Sequence, residues 1–111
     1  MIITPNILHI DSREPETIFA IAKMQQIDYV KVFLDVGDFA YNNIIIERKE
    51  IQDFVQSITS KRLYEQVEQM KANYENVYVL VSGSINDLYN RDSQNIVFGA
   101  IASLSIKHDI K

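Results

Sequence analysis

Asp38, Glu47 and Lys49 are the residues of this 111-residue chain whose types and spacing can do chemistry. They lie in the stretch GDFAYNNIIIERK, from Gly37 to Lys49. Asn tolerates positive φ, so Asn42-Asn43 reads as a two-residue hairpin turn. That turn sets Tyr41 opposite Ile44, Phe39 opposite Ile46 and Asp38 opposite Glu47. Directly opposed residues on an antiparallel pair have β-carbons about 5 Å apart, where like charges are destabilising. A shared proton, a neighbouring cation or a divalent metal can offset the repulsion. Lys49 lies two residues beyond Glu47, and the strand period of two puts its ammonium on the same face. Two carboxylates holding Mg²⁺ or Mn²⁺ beside a lysine can polarise a phosphodiester, acidify a water for in-line attack and offset the charge that builds on phosphorus. The same spacing also fits a surface hairpin in which Glu47 and Lys49 are solvated and Asp38 completes a Gly-Asp turn.

The elements that must position these groups follow from periodicity. Ile7 to Asp11 reads as a strand, with Ile7, His9 and Asp11 on one face and Leu8 and Ile10 on the other. Pro15 suits the first turn of a helix, and Ile18, Ile21, Ala22 and Gln25 give that helix its stripe. Tyr29 to Asp35 alternates, with Val30, Val32 and Leu34 on one face, and Gly37 punctuates. Ile44 to Lys49 is the return strand of the hairpin. Ile51, Phe54, Val55 and Ile58 mark one helix face, and Leu63, Val67, Met70 and Tyr74 another, with Thr59-Ser60 between them. The unbroken run Val77 to Val81 predicts a strand covered on both faces in the middle of a sheet. Val97, Ile101 and Leu104 place a final helix. The order β-α-β-β-α-α-β-α gives an α/β fold with a mixed central sheet flanked by helices. No repeat or linker divides it, so residues 1–111 are expected to form one domain, either minimal or cut short before a final strand.

Composition bounds what this domain can be. With 47% apolar and 23% charged residues, 3 Gly and 2 Pro, the chain has the make-up of a globular protein. It has no cysteine, which excludes disulfides, a thiolate nucleophile and thiolate metal ligands. No apolar run is long enough to cross a bilayer and MIITPNILHIDSRE lacks the order of a secretory signal, so the expectation is an intracellular protein in the cytoplasm or nucleoid, or in a nucleus. The net charge of −4 argues at first against nucleic acid. If Asp11, Glu14, Asp38, Glu47 and Asp53 gather around one metal, however, the remaining 10 of the 15 acids face 11 bases. The position of the acids then matters more than their number.

The stretch GDFAYNNIIIERKEIQD, Gly37 to Asp53, resembles the GD…ERK…D signature of the XPF-type structure-specific endonucleases. DSRE, from Asp11 to Glu14, looks like that family's upstream Asp-x-Arg-Glu, and FVQSITSKRLYEQVEQM resembles the segment after the signature. The resemblance covers nearly the whole chain with its elements in order. It implies a restriction-endonuclease-like three-layer fold and a Mg²⁺- or Mn²⁺-dependent endonuclease that cuts branched DNA, such as flaps and forks, near single-strand/double-strand junctions. It implies Asp38 and Glu47 as metal ligands, with Asp11 beside them, and Lys49 as the catalytic lysine. Asp11, Arg13 and Glu14 would line the same cleft, with Arg48 and Asp53 completing the signature. Family members pair with a second copy or a relative, which implies a dimer through the C-terminal helix and strand, where Val97, Ile101 and Leu104 could share apolar surface.

Several of these residues also have plainer readings. Asp11 and Glu14 flank a helix start, where an acid favours the dipole. Asp53 occupies a first helical turn and is expected to support the site. Arg48 points away from Glu47 and Lys49 and is expected to pair with Asp53 or another acid behind the site. Lys61-Arg62 opens a helix, a poor place for cations, so phosphate contact is one reason for them and a solvated helix start the other; the matching Arg and Gln66 recur in the family resemblance, which implies DNA contact there. His9 and His108 read as ordinary surface or strand-end residues, and Tyr64, Tyr74, Tyr78, Tyr89 and Phe98 as core. Two features depart from the resemblance: there is no room for a tandem helix-hairpin-helix module, and Ser82 stands where relatives often carry an acid. A non-catalytic pairing module of the same fold is the alternative. A receiver-like phosphoryl acceptor is weakened because the central strand ends in Ser82.

Overall fold

The computed structural model describes residues 4–111. Leu8–Asp11 (β1) pairs in parallel with Tyr29–Val32 (β2), across a connection that contains the helix Glu16–Met24 (α1). Phe39–Tyr41 (β3) runs antiparallel to β1 and to Ile44–Glu50 (β4). The hairpin has the expected register, with Tyr41 opposite Ile44, Ala40 opposite Ile45 and Phe39 opposite Ile46. Asn42 takes the left-handed conformation at its turn, with φ 51°. β4 passes directly into Ile51–Thr59 (α2), followed by Arg62–Asn73 (α3) and by Asn76–Ser82 (β5), which lies parallel to β4. A short 3-10 turn, Ile85–Asp87, precedes Arg91–Lys107 (α4), whose first turn is capped by the Asn90 side chain accepting from Ser93 N–H.

The sheet order is β2-β1-β3-β4-β5, and every strand except β3 points the same way. The carboxyl ends of β1, β2, β4 and β5 therefore share one edge, together with the start of β3. Crevices outside the carboxyl ends of parallel strands are the usual ligand positions in α/β sheets. Side-chain alternation divides the core between the two faces. Phe19 and Ala22 of α1 pack on Ile10, Leu8, Tyr29 and Phe39 on one side. On the other side Phe54, Leu63, Val67, Met70, Val97 and Leu104 pack on Leu34, Ala40, Ile45 and Val77. The result is three layers, a mixed sheet between helices.

Some expectations give way. β5 lies at the sheet edge and not in its middle; α1 covers the opposite end of the sheet, so Tyr78 and Leu80 stay exposed on the uncovered face. In α1 the buried stripe is Phe19 and Ala22, while Ile21 faces solvent, because the helix meets the sheet one position round from the predicted stripe. In α4, Val97, Ala100 and Leu104 are buried and Ile101 is half exposed. Tyr64 and Tyr74 pack against the core, but Tyr89 and Phe98 are exposed. His9 is buried: its Nε2 accepts from Thr4 N–H at 3.2 Å, and its Nδ1 lies 3.0 Å from the Ile7 carbonyl. Lys111 bonds along the outer side of β5, its N–H donating to Val77 O and its carbonyl accepting from Val79 N–H, so a strand-like bridge does follow the last helix.

Candidate active site

Asp38 is fixed by its backbone before its side chain does anything. Gly37 has φ 74°, and a β-carbon there would lie 2.5 Å from Ile45 Cγ1, so only glycine lets the chain turn this tightly against β4. Asp38 N–H then donates to Ile46 O at 2.8 Å, and Asp38 O accepts from Asp11 N–H at 2.9 Å. Its Oδ2 accepts from Arg48 N–H at 2.7 Å. One residue thus joins the end of β1 to β4, just before β3 begins.

Glu47 is the next inward-facing residue of β4 after Ile45, and it is 7% exposed. Burial pushes its carboxyl up to about 7, and the charge of Asp38 and the hydrogen bond to it push the same way; Lys49 partly opposes the rise. The environment thus favours the protonated form of Glu47 beside Asp38. Lys49 Nζ donates to Glu47 Oε1 at 3.4 Å, and both side chains are largely buried. The structure therefore brings Asp38, Glu47 and Lys49 together, and the solvated-hairpin alternative does not describe them.

Asp11 ends β1, with 2% of its surface exposed. Its Oδ1 accepts from Leu34 N–H at 2.9 Å and from Arg13 Nη2 at 3.1 Å; its Oδ2 accepts from Arg13 Nε at 2.8 Å and Arg13 N–H at 3.2 Å. Burial raises this carboxyl's pKa, but those donors outweigh it and hold the group below its usual range. Both Asp11 oxygens accept from donors, and the carboxylate orients Arg13. The charges of Asp38 and Glu47 act on that guanidinium, which places it beside the pair. Glu14 pairs through the other face of the sheet, accepting from Arg48 Nε at 3.2 Å and Nη2 at 2.9 Å. Arg48 does have an acid behind the site, and it is Glu14 and not Asp53.

Asp53 lies exposed in the first turn of α2, where it complements the helix dipole. Lys61 and Arg62 are exposed at the start of α3, Lys61 in the left-handed conformation at φ 63°. Gln66, a turn further on, has a buried Oε1 without a hydrogen-bond partner among the described residues. None of these four touches the Asp38–Glu47 pair by a hydrogen bond or ion pair among the described residues. Phe33, which no motif in the sequence marks, has the Arg13 guanidinium over its ring at 4.4 Å. The signal was available: if Val32 and Leu34 share the inward phase, the residue between them points out.

No group of three His, Cys, Asp or Glu is gathered among the described residues. A closed metal cage is therefore not built here. Mg²⁺ needs less, since it usually keeps several waters and takes one or two carboxylates plus substrate phosphate oxygens. The half-buried Asp38 beside the buried Glu47 is a donor set of that kind.

The model of the ERCC4 domain family matches residues 10–111. The 3'-flap repair endonuclease Xpf of Saccharolobus solfataricus is 30% identical over 80 residues, which are 70% of this chain and 34% of that protein. The DNA repair endonuclease UVH1 of Arabidopsis thaliana is 35% identical over 78 residues, 69% of this chain and 8% of that protein. The chain thus spans about a third or less of these relatives. Among solved structures, XPF from Aeropyrum pernix superposes with a TM-score of 0.83 at 27% identity, covering 94% of this chain and 53% of that one. Its complex with DNA gives the same TM-score over 97% and 55%. The chain belongs to the ERCC4 domain family and has the fold of the XPF nuclease domain.

Proposed function

We propose that this chain is a single nuclease domain, a Mg²⁺- or Mn²⁺-dependent endonuclease that hydrolyses phosphodiester bonds of branched DNA near single-strand/double-strand junctions. The observation that carries the reading is the convergence of Asp38, Glu47 and Lys49 at the carboxyl-end edge of the sheet. The substrate geometry is supported by the 3'-flap relative and by the DNA complex of a structural neighbour.

Asp38 and Glu47 would hold the metal, which when bound polarises the phosphodiester and acidifies the attacking water. Lys49, 3.4 Å from Glu47, places an ammonium where charge builds on the phosphoryl oxygens. Arg13, held by Asp11, adds a second cation at the mouth of the site. Glu14 and Arg48 act as positioning residues, because the Arg48 backbone bonds Asp38 while its side chain is tied to Glu14. Asp53 supports the start of α2, and Lys61, Arg62 and Gln66 contact the DNA outside the reacting centre.

A second copy or a related subunit is the expected protein partner. Val97 and Leu104 are core residues and unavailable for it, but Phe98, Ile101 and Ile106 on α4 and Leu80 on β5 are exposed. Labelled flap, fork and duplex DNA incubated in Mn²⁺ with the chain, with Asp38→Asn and with Lys49→Ala test the activity. Cutting of flap or fork by the unaltered chain alone is the expected result. Cutting by all three proteins would mean contamination, and cutting by none would leave a pairing module of this fold.

A further inference from the structure

We infer that Phe33, with the Arg13 guanidinium over its ring, forms a stacking platform for an unpaired nucleobase of the DNA strand entering the site. This deepens the nuclease reading and rests on it. Phe33 follows β2 directly, so it stands at the carboxyl-end edge shared by Asp11, Asp38 and Glu47. Leu34 beside it is fully buried and donates its N–H to Asp11 Oδ1, which fixes the phase of the chain and turns Phe33 outward. Phe33 is 61% exposed, and β2 is an outermost strand of the sheet.

An exposed apolar residue alone means little. Here it is paired with a cation held by three hydrogen bonds: Arg13 Nε and Nη2 are bonded to Asp11, and Nη2 also donates to Leu34 O at 2.9 Å. Nη1 has no partner among the described residues, so its donors remain for a phosphate oxygen. A ring face next to such a donor suits one nucleotide, its base stacked and its phosphate paired. Bases within a duplex are already stacked on both sides, so the platform selects the single-stranded side of a junction. It also answers the charge problem. At −4 the chain attracts phosphates weakly as a whole, and a stacking contact supplies affinity that does not depend on net charge.

The test is a binding cycle between the protein and the DNA. The chain, Phe33→Ala, Phe33→Leu and Phe33→Trp are titrated in Ca²⁺ with a flap DNA and with copies bearing one abasic site at successive flap positions; Tyr41→Ala, at the opposite sheet end, is the control. Phe33→Ala and Phe33→Leu are expected to weaken flap binding about tenfold, with Phe33→Trp retaining it. One abasic position should weaken the unaltered chain by a similar factor and leave Phe33→Ala nearly unmoved, which a merely structural role for Phe33 would not produce. Binding by Phe33→Leu equal to the unaltered chain, or indifference to an abasic site at every position, overturns the inference. If the unaltered chain cuts flaps under either result, the nuclease reading stands alone; if it neither binds nor cuts, both fall.

Discussion

Asp38 Oδ2 accepts the backbone N–H of Arg48 at 2.7 Å, so an aspartate side chain takes the place that a backbone carbonyl would hold in the β3–β4 ladder. The ladder ends there because Gly37 turns the chain away. The bond leaves Arg48 N–H satisfied and aims the carboxylate across β4 toward Glu47. One bond thus closes the sheet and builds the acid pair.

Gly37→Ala is expected to damage both. The added methyl meets Ile45 at 2.5 Å and the left-handed φ is unfavourable for alanine, so unfolding should become easier by about 2 kcal/mol or more. For a domain of this size each kcal/mol lowers the melting temperature by roughly 4–8 °C. Calorimetry checks this, and an unchanged melting temperature would mean that the turn relaxes.

Glu47 sets a pH dependence in the metal-free protein. Its folded pKa of about 7 lies above the ordinary 4.5, so the folded state binds the extra proton. The associated stability is fully present below about 4.5 and is lost as pH rises through about 7, a loss of about 3 kcal/mol. Urea unfolding of Glu47→Gln should lack this slope. Mn²⁺ should bind more tightly to the unaltered chain as pH rises over the same range, because the cation competes with the proton on Glu47.

The Glu14–Arg48 pair is bidentate and partly buried. Arg48→Lys keeps the charge but not the fork, and is expected to cost about 1–2 kcal/mol and to slow cleavage. Glu14→Gln should resemble it. If Arg48→Lys matched the unaltered chain in both thermal melting and flap cleavage, the positioning role would be wrong.

Phe98→Glu combined with Ile101→Glu places charge on the exposed side of α4. Analytical ultracentrifugation should find the unaltered chain as a dimer and the double variant as a monomer with an unchanged circular dichroism spectrum. A dimer that survives the double variant would move the interface elsewhere.

The sequence by itself determined the hairpin register and the meeting of Asp38, Glu47 and Lys49, because a two-residue turn and a period of two fix neighbours locally, while the order β-α-β-β-α-α-β-α falls one strand short of the three, β2, β3 and β4, that stand between α1 and α2. It also marked the core faces of α2 and α3, but not that of α1, where Phe19 is buried and Ile21 is exposed. It did not determine that β5 lies at an edge or that Tyr78, Tyr89 and Phe98 are exposed, since apolar runs carry no record of where the covering helices stop. Only the tertiary structure decided how the charges pair. Asp11 and Arg13 are bound to the Leu34 backbone 21 and more residues away, and Glu14 reaches Arg48 across 34 residues. Such partners meet through the packing of β1 between β2 and β3, and local periodicity has no range over which to express it.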